Sequence, residues 1–208
     1  MIIKRYAFID VTNTKGSAKA LGFSIDHQKL FDYLKKERWS CIDVYWYNGR
    51  IRNRKNENAR KKIEEMGYQV KDKETHFFKK EHHIKALCPG CAKEVDFKVI
   101  QKKYPKANCD VELTVDCLEL AENGAEFLIF SGDGDFRYLI ERLRDKGVKV
   151  RLFSTSKQDQ VGDYRFSTRL KDLLRKHDGD WIFFTELNNI KNLIKNDETA
   201  TKRDGPER

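Results

Sequence analysis

The sequence predicts a three-layer α/β/α sandwich with a mainly parallel central sheet and one inserted hairpin segment that contains cysteine and histidine. Three observations carry that prediction. Short apolar or β-branched runs alternate with stretches of helical periodicity, the pattern of strands joined by crossover helices. Glycines stand just past several helical stretches, where a left-handed residue ends a helix. One segment, about residues 72–109, breaks the alternation with a His/Lys-rich run, a Cys-Pro-Gly-Cys turn and Pro105.

Taken in order, Tyr6–Val11 is an apolar run and reads as a buried strand. Ser24 is placed to cap a helix with Ile25, Leu30, Phe31 and Leu34 at its apolar positions. Cys41–Tyr47 is rich in β-branched and aromatic residues and reads as a second strand. Asn53–Met66 reads as a helix ended by Gly67, and Tyr68–Lys71 as a third strand. After the insertion, Val111–Glu122 is helical and stops near Gly124, and Glu126–Phe130 is a strongly apolar strand. Phe136–Lys146 is a helix with Leu139, Ile140 and Leu143 on one face, closed by Gly147. Val148–Phe153, Ser167–Lys176 and Trp181–Phe184 read as strand, helix and strand. One domain is expected over residues 1–187, with a polar, flexible tail over 188–208.

A length of 208 residues suits one domain, and aromatics at 12% supply a core although charged residues reach 36%. No run of about 18 apolar residues is present to span a membrane. Met1–Arg5 lacks the apolar region of a signal peptide, so a cytoplasmic location with five reduced cysteines is expected. The net charge of +9 is unevenly placed: residues 50–106 hold 17 Lys and Arg against 8 Asp and Glu, and the remainder is balanced. Such a segment is either a solvated basic face or a surface that gains by releasing counterions from nucleic acid.

In open parallel sheets, ligands sit beyond the carboxyl ends of the strands. Asp10 lies at that end of the first strand, with Asn13 three residues on. Asp133 and Asp135 follow the strand 126–130 in Ser131-Gly132-Asp133-Gly134-Asp135-Phe136. If the first and fourth strands are neighbours, three carboxylates converge. Clustered carboxylates repel unless a cation neutralises them, and hard oxygen donors suit Mg²⁺ or Mn²⁺. The helix after Cys109 adds Asp110 and Asp116, which at six residues' spacing point about 120° apart. Of the two, Asp116 is placed ahead of Asp110, because it lies beside a core-facing stripe and wants a partner. Any one of these aspartates can instead be a turn or helix-capping residue; the set at successive strand ends favours a site.

Cys88 and Cys91 have the spacing of half a zinc site, and His82 and His83, with His76, lie close upstream. The set fits either a structural zinc or a tight turn with two free thiols or a redox-labile pair. Tyr45, Trp46 and Tyr47 precede an arginine-rich loop; an aromatic there can stack a base, though Trp46 equally suits a core position. Arg50, Arg52, Arg54 and Lys55 are candidate phosphate contacts, as are Lys79 and Lys80 beside Phe77 and Phe78.

These residues carry a family resemblance. Phe8-Ile9-Asp10-x-x-Asn13 resembles the opening strand of the NYN domain, the LabA-like branch of the PIN-like nucleases. Cys109-Asp110-Val111-Glu112-Leu113 with Asp116 resembles that family's acidic helix, and Ser131-Gly132-Asp133-Gly134-Asp135-Phe136 is similar to its Ser-Gly-Asp-x-Asp-Phe signature. Gly147-Val148-x-Val150, Ser167-x-x-Leu170 and Asp178–Phe183 follow in the family's order, so the match runs from about residue 5 to 187. The chain departs from the pattern at Cys109, where the family often has Val, in the preceding Lys106-Ala107-Asn108, and in the length of the insertion.

The resemblance implies a PIN-like fold and metal-dependent hydrolysis of RNA. Asp10, Asp110, Asp116, Asp133 and Asp135 would form the acidic site, with Asn13 and Ser131 supporting it by hydrogen bonds. RNA, single-stranded or structured, is the expected partner; a homodimer is an allowed assembly and no membrane is involved. The alternatives are a non-catalytic RNA-binding regulatory module and a phosphohydrolase with an aspartyl nucleophile. The latter needs an acid two residues after Asp10, where Thr12 stands.

Overall fold

The computed structural model describes residues 3–51, 53–78, 81–100, 104–158, 162, 164–177 and 179–197. The first unit is β1 (Arg5–Asp10), α1 (Val11–Ala20) and α2 (His27–Asp32), the last running on as one wider turn over Tyr33–Glu37. Next come β2 (Asp43–Arg50), α3 (Arg54–Glu65) and β3 (Gln69–Glu74). Four short strands follow: β4 (His76–Phe78), β5 (Glu81–Leu87), β6 (Glu94–Ile100) and β7 (Tyr104–Lys106). The chain then continues through α4 (Asp110–Leu120), β8 (Glu126–Phe130), a 3₁₀ turn over Gly134–Phe136, α5 (Arg137–Asp145) and β9 (Lys149–Ser154). It closes with α6 (Thr168–His177), β10 (Ile182–Glu186), a 3₁₀ turn over Leu187–Ile190 and α7 (Lys191–Ile194).

Six strands form the central sheet in the order β10-β9-β8-β1-β2-β3, each pair parallel. A sheet covered by helices on both faces needs strands apolar on both faces, and Glu126–Phe130 is buried at every position. Phe8, Phe127 and Ile129 belong to one core layer, which α4, α5 and α6 complete through Leu113, Cys117, Leu139, Ile140, Leu143, Leu170 and Leu173. Ile9, Leu128 and Phe130 belong to the other, completed by α1, α2, α3 and α7 through Val11, Ala18, Leu30, Ile63 and Ile194. This is the three-layer sandwich that the alternation predicts. Helix endings follow the sequence at Gly67 and Gly147, which take φ of +103° and +75°.

The structure adds one element and corrects two expectations. The added element is α1. Its run Thr-Asn-Thr-Lys-Gly-Ser-Ala has no large apolar face, so periodicity does not reveal it. The helix buries small residues instead, Val11, Thr14, Ser17 and Ala18, and so lies close against the sheet. The first correction is the cap of α2: Asp26, not Ser24, accepts the Lys29 N–H at 3.0 Å. The second is the proposed tail from 188. Leu187, Ile190 and Ile194 are 0%, 6% and 0% exposed, and the Asp26 N–H donates to the Ile194 carbonyl at 2.8 Å. Apolar residues at these spacings line one side of two short helical turns, the first packed on α1 and β10 and the second on α2. The chain is therefore packed at least to Ile194.

Strand β3 continues to Glu74, so the insertion begins beyond it. It consists of two antiparallel pairs, β4 with β7 and β5 with β6. Cys88 and Cys91 lie in the turn joining β5 to β6.

Candidate active site

The sheet order places the site. From β1 the chain moves to β2 and β3 on one side, then crosses to β8 on the other, so β1 and β8 flank the switch point. Register pairs Ile9 with Phe130, which sets Asp10 beside the loop starting at Ser131.

Asp10 does two jobs with its two oxygens. Oδ1 accepts the Asn13 N–H at 3.1 Å and caps α1, while Oδ2 accepts the Ser131 hydroxyl at 3.1 Å. The loop is tied back in turn: the Gly132 N–H donates to Asn13 Oδ1 at 2.9 Å, and the Asp133 N–H donates to Ser131 Oγ at 3.2 Å. Thr14 Oγ1 donates to the carbonyls of Asp10 and Phe130, at 2.6 and 2.9 Å. The helix start and the acidic loop are thus one hydrogen-bonded unit. Asp133 in turn caps the 3₁₀ turn by accepting the Asp135 N–H at 3.0 Å.

Asp10, Asp110 and Asp133 line one cavity of about 850 Å³. Burial, reinforced by repulsion from Asp110 and Asp133, pushes the Asp10 carboxyl up to about 6, against the hydrogen bonds from Asn13 and Ser131. Asp110 is also raised, first by burial, then by Asp133, Asp135 and Glu112, with the Asn108 side chain opposing. Asn108 holds Asp110 at both ends, accepting its N–H at 2.8 Å and donating to its carboxylate at 2.6 Å. Cys109 also lines the cavity, but burial raises its thiol to about 11, and it donates to the Asn48 carbonyl at 3.5 Å. It is a neutral wall group, not a ligand. Among the described residues, no three His, Cys, Asp or Glu side chains form a closed ligand cluster.

The structure places the two helix aspartates differently. Asp110 opens α4 and faces the cavity, whereas Asp116 accepts the Tyr47 hydroxyl at 2.8 Å and lies 3.7 Å from Lys71 Nζ. Six residues lift Asp116 about 9 Å further along the helix, on another side of it. Its wanted partner is a buried tyrosine. Should the crevice cleave RNA as the resemblance implies, Asp116→Asn is expected to lower the melting temperature and leave that cleavage within about threefold of wild type, as a group outside the reaction should. A hundredfold loss at unchanged stability would return Asp116 to the site. Asp135 is exposed, with Arg169 at 3.6 Å, and stands at the rim.

The candidate RNA contacts divide. Arg50 lines the cavity but lies 3.2 Å from Asp72, which also takes Arg60 at 2.8 Å. Arg54 and Lys55 are exposed in the first turn of α3. Arg52, Lys79 and Lys80 lie outside the described residues. Trp46 is a core residue at 5% exposure, yet part of it reaches the cavity. Cys88 is lowered by the N–H groups of Gly90 and Cys91. The side chains of His82 and His83 lie outside what the structure describes. Sequence reading missed Lys15, Asn48, Asn108 and Arg165, all cavity residues. For Asn108 the signal was there, a polar side chain two residues before an acid at a helix start.

No helix among the described residues is long and apolar enough to cross a membrane. Comparison with known proteins gives the family and the fold. The family model of the NYN domain matches residues 5–171. The chain is 28% identical over 149 residues to the low amplitude and bright protein LabA of Synechococcus elongatus, covering 71% of this chain and 72% of that protein. A crystal structure of a protein of unknown function from Vibrio parahaemolyticus superposes with a TM-score of 0.58 at 20% identity, covering 89% of this chain and 93% of the other, and so shares the fold. With its model matched over residues 5–171, the chain belongs to the NYN domain family.

Proposed function

We propose that this protein is a metal-dependent ribonuclease whose reaction centre is the crevice bounded by Asp10, Asp110 and Asp133. The observation that carries this reading is the shared cavity of three carboxylates, two of them with protonation pushed upward by burial and by neighbouring acids. Such a site is incomplete in charge and gains from a cation. The donor set fits Mg²⁺ or Mn²⁺: hard oxygens, with the nearby thiol held neutral. Mg²⁺ keeps several waters and takes one or two carboxylates plus substrate phosphate, so a spread set of acids suits it better than a closed cage.

A divalent cation supplies charge compensation to the phosphoryl and leaving oxygens and acidifies water at neutral pH. The chain's own residues do the positioning. Ser131 and the Asn13 N–H fix the direction of Asp10, and Asn108 fixes that of Asp110. Arg54 and Lys55, exposed on α3, attract the phosphate backbone.

The test is RNA cleavage by purified protein with Mn²⁺ or Mg²⁺ and with chelator. Metal-restored cleavage is expected, lost in Asp133→Asn while RNA affinity is retained. A wild-type protein inert on diverse RNAs but binding them would replace this reading with that of a regulatory binding module.

A further inference from the structure

The cavity does not end at the carboxylates. It continues past Asn48, between α1, β2, β3 and α3, into a recess with a different chemistry. Its walls are apolar: Trp46, Ile63, Met66 and Val70. The His27 ring stands edge-on to Trp46, centroids 4.6 Å apart, and lines the same space. Burial and the neighbouring Lys15 lower His27 to about 4, so at neutral pH it is an uncharged wall.

Lys15 of α1 lines the same cavity. Its ammonium lies 5.9 Å from the Trp46 ring centroid. Asp72 already holds Arg50 and Arg60, and no ion pair to Lys15 occurs among the described residues. Lys15 is exposed at the side of this cavity, and an exposed ammonium with no counter-charge beside it attracts a phosphate. The result is an apolar slot with the Lys15 ammonium beside it, in the same cavity as the acids.

We propose that this recess is a nucleotide subsite: the wall of Trp46, Ile63, Met66 and Val70 takes one unstacked base, and Lys15 holds a phosphate on the path from that base to Asp10. The proposal rests on the ribonuclease reading and narrows its substrate to single-stranded RNA. A paired base is stacked and cannot enter a slot without leaving the helix.

Binding and cleavage are read separately, so that the two proposals fail separately. Binding uses fluorescence anisotropy of a labelled RNA hexanucleotide, and six versions of it each lacking one base, with Mg²⁺ in an Asp10→Asn background that prevents turnover. One abasic probe is expected to bind about tenfold more weakly than the intact strand, within the range for a single base against aromatic walls. Ala59→Trp, at an exposed rim position of α3, fills the recess with little risk to folding. It should weaken the intact strand about tenfold and abolish the penalty for the missing base. Lys15→Met keeps the side-chain stem against Trp46 and should weaken all probes alike, reducing the salt slope by about one. Equal binding of all six abasic probes, or a base penalty that survives Ala59→Trp, overturns the base slot. Unchanged affinity and salt slope in Lys15→Met overturn the phosphate contact. Cleavage by the wild-type protein decides the ribonuclease reading and has no bearing on these ratios.

Discussion

Asp10→Asn is expected to remove RNA cleavage by about 10²–10⁴-fold, the range for losing a group that acts at the reacting centre, and to leave the fold at least as stable at pH 7. The two halves come from one cause. Asparagine caps a helix as well as aspartate, so the Asn13 N–H keeps its acceptor. What disappears is the buried charge. With its carboxyl raised to about 6 from an ordinary 3.8, folded Asp10 holds its proton more tightly than the unfolded chain does. Its stabilising contribution is present below the unfolded value and is lost as pH rises through about 6. At pH 7 the charge remains as a cost, borne against Asp110 and Asp133. Melting curves in chelator should therefore show wild type losing stability between pH 4 and 6.5 relative to Asp10→Asn. Added Mg²⁺ should raise the wild-type melting temperature at pH 7 and affect the variant little. Metal affinity should climb over the same pH window, since the ligand must shed its proton. A fully active Asp10→Asn protein, or one that melts well below wild type at pH 7, would count against the site.

The second large effect is expected at Gly132→Ala, and it is mechanical. A Cβ there would fall against the Arg165 carbonyl, 2.5 Å from Ser154 Oγ and 2.9 Å from the Arg165 carbonyl carbon. Backbone cannot swing aside as a side-chain tip can. Around it, the Ser167 N–H donates to the Gly132 carbonyl at 2.9 Å, and Ser154 Oγ donates to the Arg165 carbonyl at 3.3 Å. Alanine must push the 164–167 loop away and loosen these bonds, at a cost of about 1–3 kcal/mol. For a chain of this size each kcal/mol lowers the melting temperature by about 2–4 °C. Because Gly132 also anchors Asn13, the acids shift, and a displacement near 1 Å costs activity by about 10²-fold. Gly90→Ala is the control: only Cys88 Sγ, at 4.0 Å, would meet its Cβ, and the change should stay within about 0.5 kcal/mol. Equal melting temperatures for the Gly132 and Gly90 variants would show that the close approach is not needed.

Why the sequence revealed some elements and hid others follows from size and distance. The strand Glu126–Phe130 is apolar at nearly every position and is found where the sequence reads it. The helix α5 shows its face through Leu139, Ile140 and Leu143, large residues at helical spacing. The helix α1 buries only Val11, Thr14, Ser17 and Ala18, too small to mark a face, and Lys15 of the recess was missed with it. Ile190 and Ile194 were visible as isolated apolar residues, but only α1, β10 and α2 lying beside them make them core.

The sequence by itself determined the layered sheet, the strand ends that carry Asp10 and Asp133, and the acidic character of the site. These rest on local patterns: apolar period, glycine position, and a carboxylate just past a strand. Only the tertiary structure decided between Asp110 and Asp116, because the choice depends on which side of α4 meets the crevice and which meets Tyr47. It alone set Lys15, Trp46 and Met66, residues far apart in the chain, around one recess. Burial and charge repulsion act through space, and no stretch of sequence contains the distances that govern them.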